Sequence, residues 1–176
     1  MQSKARLFGH PIHPMLIVYP LGLFGTAVVF DIIYFFTGQA GAAVTSYWMI
    51  AAGVVGGLAA AVFGTIDWIA IPKGTRAKKL GAWHGIGNVV VVALFAASWF
   101  ARGDYHLATP VSAMVLGIIG VAIAVVTGWM GGELVDRLGV GVDEGAHVNA
   151  PSSLSGRPAR EQHTTAGSTA GPTVRS

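Results

Sequence analysis

The sequence lacks cysteine and is poor in charged residues. The absence of cysteine excludes disulfides, thiolate metal sites, iron–sulfur clusters and cysteine nucleophiles, so a bound metal ion would need His, Asp, Glu or Asn ligands. Only 11% of the 176 residues are charged and 53% are hydrophobic, whereas soluble domains contain about 25% charged residues. Because the hydrophobic residues form long runs, this composition indicates a protein embedded in a lipid bilayer.

The sequence also lacks the short motifs of several enzyme classes. It contains no Gly-x-Ser-x-Gly elbow, no His-Glu-x-x-His helix and no phosphate-binding glycine loop, so we assign no catalytic residue and leave open whether the protein is an enzyme. The net charge is +3, but the basic residues lie at the edges of the hydrophobic runs, as membrane topology signals do. We therefore expect no nucleic-acid partner.

Four hydrophobic runs are long enough to cross a membrane. About 20 helical residues at 1.5 Å per residue span a hydrocarbon core of ~30 Å. The predicted spans are residues 14–36, 47–71, 81–101 and 110–134. Gly38 and Gly41 are expected to end the first helix, and Thr109-Pro110 to cap the fourth. The sequence thus predicts an all-α fold, a four-helix transmembrane bundle over residues 14–142 that follows an N-terminal segment, residues 1–13.

Basic residues are concentrated on one side of the predicted bundle. The residues on that side are Lys4, Arg6, Lys73, Arg76, Lys78, Lys79 and Arg137. The opposite flank has only Arg102. Because cytoplasmic loops carry an excess of Lys and Arg, we expect a multi-pass protein of the bacterial plasma membrane with both termini in the cytoplasm. The first run is too long for a signal peptide and no small-residue cleavage site follows it, so we expect it to be retained.

The remaining features outside the spans are a polar tail and interfacial aromatic residues. Residues 143–176 are rich in Ser, Thr, Pro, Gly and Ala, which predicts a disordered cytoplasmic tail in which His147 and His163 have no specific role. The aromatic residues near the span ends are Trp48, Trp99, Trp129 and Tyr105. We expect these rings to lie among the lipid head groups.

Small residues recur at four-residue spacing in the second, third and fourth helices. The sets are Gly53 and Gly57; Gly56, Ala60 and Gly64; Gly81 and Gly85; and Gly128 and Gly132. Because helices in lipid associate through close backbone approach, we expect these three helices to pack tightly. The same glycine-rich faces are also candidates for a homodimer or for another membrane partner.

Six ionisable or amide side chains in or directly before the spans lie near the end predicted to be cytoplasmic. They are His10, His13, Asp67, His84, Asn88 and Glu133. His84 and Asn88 are four residues apart and share a helix face. Because charged groups in lipid are costly, each needs a partner or a purpose. The simplest interpretation is a set of hydrogen bonds that tie the helix ends together.

A cofactor site is the alternative interpretation of this cluster, and two cofactors fit the chemistry. A divalent metal ion would take its ligands from His10, His13, Asp67, His84 and Glu133. Haem b would take imidazoles from facing helices, His10 or His13 together with His84, in a pocket that includes Asn88. The spacing of the residues does not decide between them.

Two further polar groups lie toward the opposite side of the bundle. Asp31, deep in the first helix, is expected to form a structural ion pair with Arg102, and the alternative is a proton-coupling carboxylate. His106, in the following loop, is expected to be solvated.

Four segments of the sequence together resemble one protein family. They are Gly9-His10-Pro11-Ile12-His13-Pro14, Gly64-Thr65-Ile66-Asp67, Trp83-His84-Gly85-Ile86-Gly87-Asn88 and Gly128-Trp129-Met130-Gly131-Gly132-Glu133-Leu134. The resemblance is to a bacterial family, the domain of unknown function 2231, and covers residues 7–142. It implies a four-span membrane protein and carries no activity, cofactor or partner with it.

Three functions therefore remain open from the sequence. The first is a membrane protein that binds a metal ion or haem between its helix ends in a redox or accessory role. The second is a small proton-coupled transporter. The third is a structural membrane subunit without a cofactor.

Overall fold

The computed structural model describes residues 1–103 and 106–161. The predictions for Tyr105, for His163 and for the tail beyond residue 161 lie outside the described residues.

Four long helices make up most of the described chain. They are α1 (Ile12–Thr37), α2 (Ala40–Ala70), α3 (Arg76–Phe100) and α4 (Val111–Gly132). A π-helical turn, Glu133–Arg137, continues α4, and a short antiparallel hairpin of β1 (Arg6–Leu7) and β2 (His10–Pro11) precedes α1. Each of the four helices is long and apolar enough to cross a membrane. The predicted all-α, four-helix membrane fold is therefore confirmed.

The helix ends follow from particular residues, and two of them differ from expectation. Gly38 ends α1 with a left-handed φ of 67°, which favours glycine. Gly41 does not act as a breaker and lies in the first turn of α2. Thr109 does not cap α4, because Pro110 occupies the cap position and the Thr109 hydroxyl donates to Asp31 instead. The hydroxyl of Thr75 accepts from the Lys78 N–H and so caps α3.

Two aromatic rings stack at the centre of the bundle. Phe24 of α1 lies parallel to Phe95 of α3, with ring centroids 3.9 Å apart. Each ring packs over a glycine of the neighbouring helix: a Cβ at Gly53 would lie 2.5 Å from Phe24, and a Cβ at Gly120 would lie 2.8 Å from Phe95. The core cluster around them consists of Phe24, Ala27, Val28, Ile50, Val91 and Phe95. Close backbone approach at glycine thus makes room for the two largest core side chains.

The glycine spacing predicts the packed face of α2 better than the packed faces of α3 and α4. Most contact between helices is made within the pairs α1–α2 and α3–α4. Helix α1 is therefore tightly packed, although the glycine spacing predicted tight packing only for α2, α3 and α4. Gly85, Gly128 and Gly132 have no atom within 4 Å of an added Cβ. Gly87 and Gly120, which the spacing did not single out, face Thr127 and Phe95 instead.

The two helical hairpins, α1–α2 and α3–α4, repeat the same contacts. Three residues of α1 each contact the residue that lies 71 positions later in the chain, on α3 or just after it. The pairs are His13 and His84, Phe24 and Phe95, and Asp31 and Arg102. Their neighbours on α2 and α4 are also related by one spacing, 67 residues: Gly53 and Gly120, Ala60 and Thr127, and Gly64 and Gly131. At these positions the second hairpin therefore repeats the contacts of the first, and we call the two hairpins the two repeats.

Candidate functional site

His13 lies in the first turn of α1, where α2 holds its ring. Its Nδ1 is 2.9 Å from the carbonyl oxygen of Ala60, and the ring lies over Gly64, where a Cβ would come within 2.8 Å of it. Because a carbonyl can only accept, Nδ1 carries the proton and Nε2 keeps its lone pair. The sequence therefore provides both the acceptor and the space that fix this imidazole.

His84 of α3 is held by α4 in the same way. Its Nδ1 donates to the carbonyl oxygen of Thr127 at 2.8 Å, and Gly131 leaves room beside the ring. Its Nε2 is 3.2 Å from the amide nitrogen of Asn88. The same amide donates to the His84 carbonyl oxygen at 2.9 Å. The two histidines are thus equivalent in the two repeats, and within residues 1–103 and 106–161 the Nε2 of His13 has no hydrogen bond and that of His84 has only the 3.2 Å contact with Asn88.

Asn88 and Thr127 complete the surroundings of His84. The hydroxyl of Thr127 donates to Asn88 Oδ1 at 3.0 Å, and Thr127 is only 3% exposed. Sequence reasoning missed Thr127, although a single Thr in the long apolar run of α4 was a signal. The His84 imidazole thus contacts the Asn88 side chain of α3 and the Thr127 carbonyl oxygen of α4, and the Thr127 hydroxyl holds the Asn88 amide.

The two imidazoles face each other between the hairpins. Their ring centroids are 6.4 Å apart and their planes are nearly perpendicular, at 86°. Both residues are half-buried. Of the six polar residues predicted to converge, His13, His84 and Asn88 therefore come together.

The other three predicted residues have partners of their own. His10 is exposed, and its Nε2 is 3.3 Å from the Ser153 hydroxyl. Asp67 accepts from Ser3 Oγ at 2.6 Å, and Glu133 pairs with Arg76 at 2.7 Å. Within residues 1–103 and 106–161, no group of three or more His, Asp or Glu side chains is arranged to hold a metal ion.

A buried ion pair lies at the opposite end of α1 and α3. Arg102 donates to both carboxylate oxygens of Asp31, at 2.8 and 2.6 Å, and the two side chains are only 1% and 0% exposed. The hydroxyl of Thr109 donates to Asp31, and that of Ser98 accepts from Arg102. The predicted Asp31–Arg102 pair is confirmed.

The aromatic residues near the helix ends, together with His106, divide into two groups. The expectation that His106 is solvated is wrong, because its ring stacks on Tyr47 with centroids 3.8 Å apart and is half-buried. Trp99 also packs near Tyr47, at 5.2 Å. Trp48 and Trp129, in contrast, are 61% and 67% exposed, as expected of rings that contact lipid.

Comparison with known proteins gives one match. The model of a family described as a predicted membrane protein, DUF2231, matches residues 9–144. No curated protein and no solved structure matches the chain. The matched residues include both hairpins and both histidines, and they make up most of the sequence. The chain therefore belongs to the family of predicted membrane proteins known as domain of unknown function 2231.

Proposed function

We propose that this protein binds haem between its two helical hairpins, where His13 and His84 would hold it, and that the bound haem would supply electron transfer within the membrane. The observation that carries the proposal is the repeat itself. Two imidazoles occupy equivalent positions of the two hairpins and face each other 6.4 Å apart. Two imidazoles that bind one metal from opposite sides have ring centres about 6 Å apart, since each metal–nitrogen bond is ~2.0–2.1 Å.

The surroundings of both rings support metal coordination. A histidine that binds a metal typically donates its other ring N–H to a backbone carbonyl or a carboxylate, which fixes the tautomer and the orientation of the ring. Both Nδ1 atoms have a carbonyl partner of this kind. Among the described residues, the Nε2 of His84 has a hydrogen bond only from the Asn88 amide, and that amide also donates to the His84 carbonyl oxygen at a shorter distance.

Haem is favoured over a bare ion by the number of available ligands. Zinc or non-haem iron takes three or four protein ligands, and carboxylates are common among them. Asp67 and Glu133 are engaged elsewhere, and they also break the repeat, because their counterparts at the 67-residue spacing are Leu134 and Ile66. Haem brings its own porphyrin nitrogens and needs only two axial imidazoles. When bound, it supplies one-electron redox chemistry.

The test is the absorption spectrum of the purified protein together with metal analysis. We expect the wild type to carry haem with the spectrum of a low-spin, bis-imidazole iron, and His13→Ala and His84→Ala each to lose that spectrum. His10→Ala is the matched control, because His10 lies on the same end of the bundle but is exposed, and it should leave the spectrum unchanged. A wild type with neither haem nor bound metal would refute the proposal and favour a structural subunit.

We also propose that the histidine end of the bundle, which contains His13 and Asp67, faces the cytoplasm of a bacterium and that the chain lies in its plasma membrane. The support is the distribution of charge. Lys73, Arg76, Lys78 and Lys79 lie in or beside the loop between α2 and α3 at this end, whereas Arg102 at the other end is neutralised by Asp31. An excess of Lys and Arg is typical of cytoplasmic loops.

A further inference from the structure

Asp67 is the carboxylate closest in sequence to the contacts that hold His13. Ala60, Gly64 and Asp67 follow one another at about one-turn spacing along α2, so they lie on one side of that helix. The first two contact the His13 ring. Asp67, one turn farther on, does not bind the ring and instead meets the segment of chain that leads into α1.

The N-terminal segment, residues 1–11, is bound to Asp67 by three donors. The hydroxyl of Ser3 and the backbone N–H groups of Lys4 and Ala5 all donate to Asp67 Oδ1, at 2.6, 2.9 and 3.4 Å. Ser3 is only 6% exposed. Hydrogen bonds to an ionised carboxylate are stronger than those between neutral groups. Asp67 therefore fixes the position of Ser3–Ala5 against α2.

The same segment is bonded directly to the start of α1. The carbonyl oxygen of Ala5 accepts from the N–H of Ile12 at 3.0 Å, and the hairpin between them pairs Arg6 with Pro11. Ile12 is the residue before His13 and begins α1. A short chain of hydrogen bonds thus runs from Asp67 through Ala5 to the first turn that contains the imidazole.

The second repeat has no carboxylate at the position equivalent to Asp67, and the adjacent Glu133 pairs with the Arg76 side chain and not with a segment that precedes α3. The residue 67 positions after Asp67 is Leu134, a buried apolar residue, and His84 lies inside α3, eight residues after its first helical residue, Arg76. His84 is therefore held by a continuous helix, whereas His13 lies at a helix start, where fraying is common. Of the two imidazoles, His13 therefore depends more on contacts from outside its helix, and the bonds between Asp67 and the N-terminal segment provide them.

We infer that Asp67 is a positioning residue for His13: by binding the N-terminal segment it fixes the first turn of α1 and holds this imidazole opposite His84. The inference rests on the proposed function for its haem readout. Its other readout, the accessibility of the His13 ring, is measured on haem-free protein and therefore does not depend on haem.

The experiment compares Asp67→Ala with Glu133→Ala in the full-length protein. Both changes remove a carboxylate from the histidine end, but Glu133 contacts Arg76 and not the segment before α1. We expect Asp67→Ala to weaken haem binding about tenfold, in the range for residues that orient a metal ligand, and to shift the iron toward a five-coordinate, high-spin spectrum. Glu133→Ala should keep the wild-type spectrum.

The haem-independent readout is modification of His13 by diethyl pyrocarbonate, followed by mass spectrometry. We expect its rate to rise about tenfold in Asp67→Ala, since the first turn of α1 opens more often, and to stay unchanged in Glu133→Ala. Ser3→Ala removes one donor from the other side of the contact and should produce a smaller change in the same direction, which covers the case that Asp67→Ala does not fold.

The two proposals fail in different ways. If the wild type contains no haem but Asp67→Ala exposes His13, the cofactor is wrong and the positioning role stands. If Asp67→Ala and Ser3→Ala both keep the wild-type rate of His13 modification, the positioning role is overturned, whatever the haem content.

Discussion

Among single side chains, Asp31 and Arg102 illustrate how a charge is kept inside an apolar bundle. Both side chains are almost completely buried, and both carboxylate oxygens are bonded to the guanidinium group. An isolated charge in lipid costs at least a few kcal/mol, so each group is tolerated because the other is present. The pair also ties the chain just after α3 to the middle of α1. This geometry favours a structural role over proton coupling.

Removal of one partner should therefore be far more damaging than removal of a surface charge. We expect Arg102→Met to lower the free energy of unfolding by about 3–5 kcal/mol, because it leaves Asp31 buried and unpaired. Arg76→Met is the control, since Arg76 is 62% exposed, and should cost no more than about 1 kcal/mol. Unfolding by detergent titration measures both. Equal losses for the two variants would contradict a structural role of the buried pair.

The sequence predicted some of these side-chain contacts but not others. It placed His84 and Asn88 on one helix face and paired Asp31 with Arg102, because helical spacing and the scarcity of charges left few alternatives. It listed Asp67 and Glu133 among the candidate ligands of a metal ion, and the structure pairs them with Ser3 and Arg76. Those partners lie 64 and 57 residues away, and local spacing carries no information about contacts at that distance.

Among the helices, the glycines decide how closely the two members of each hairpin approach. Gly53 and Gly120 occupy equivalent positions, and each is covered by a phenylalanine ring of the adjacent helix. Gly128, on the same helix as Gly120, is exposed and has no neighbour within 4 Å of an added Cβ. One glycine of α4 therefore permits packing, and the other contributes only backbone freedom.

The matched pair of variants Gly120→Ala and Gly128→Ala separates these roles. A methyl group at Gly120 would lie 2.8 Å from the Phe95 ring, so we expect Gly120→Ala to destabilise the bundle by about 1–3 kcal/mol through overpacking. Gly128→Ala should be neutral or slightly stabilising, because Ala favours a helix more than Gly does. Thermal unfolding in detergent measures the difference. Similar melting temperatures for the two variants would show that the Phe95 contact is not tight.

The existence of the helices followed from the sequence, but their ends did not. Long apolar runs give an unambiguous signal for membrane-spanning helices. The start of α2 at Ala40 was missed because Gly41 was taken as a breaker, whereas glycine is tolerated in a first turn and Gly38 alone has a positive φ in this region. Propensity is a weak guide at helix ends, since the surrounding packing overrides it.

At the level of the whole molecule, the repeat is the feature that sequence reasoning overlooked. His13 and the Leu23-Phe24 pair recur 71 residues later as His84 and the Leu94-Phe95 pair. Few other residues match, and most of those are apolar residues that occur throughout the chain. The equivalence became clear only from the contacts. Both halves hold a histidine and a phenylalanine at the same backbone and glycine positions, but most residues between these positions differ.

The orientation of the whole bundle can be tested by cysteine labelling, since the natural chain has no cysteine. We expect Leu107→Cys, in the loop at the Asp31–Arg102 end, to react with a membrane-impermeant maleimide in intact cells. Glu144→Cys, after α4, should react only when the cells are permeabilised. Both positions are exposed, so a difference in labelling reports the side of the membrane. The reverse pattern would place the histidines on the outer side and overturn the proposed orientation.

The stacked rings of Phe24 and Phe95 divide the bundle into two compartments. On α1 and α3 they lie between the histidines and the ion pair, and every member of the core cluster around them is hydrophobic. Within the part of the chain that the structure describes, this layer insulates the imidazoles from the carboxylate. A proton or ion at the histidines therefore meets an apolar barrier on the way to Asp31, so the two polar ends of the bundle can exchange protons or ions only with their own side of the membrane.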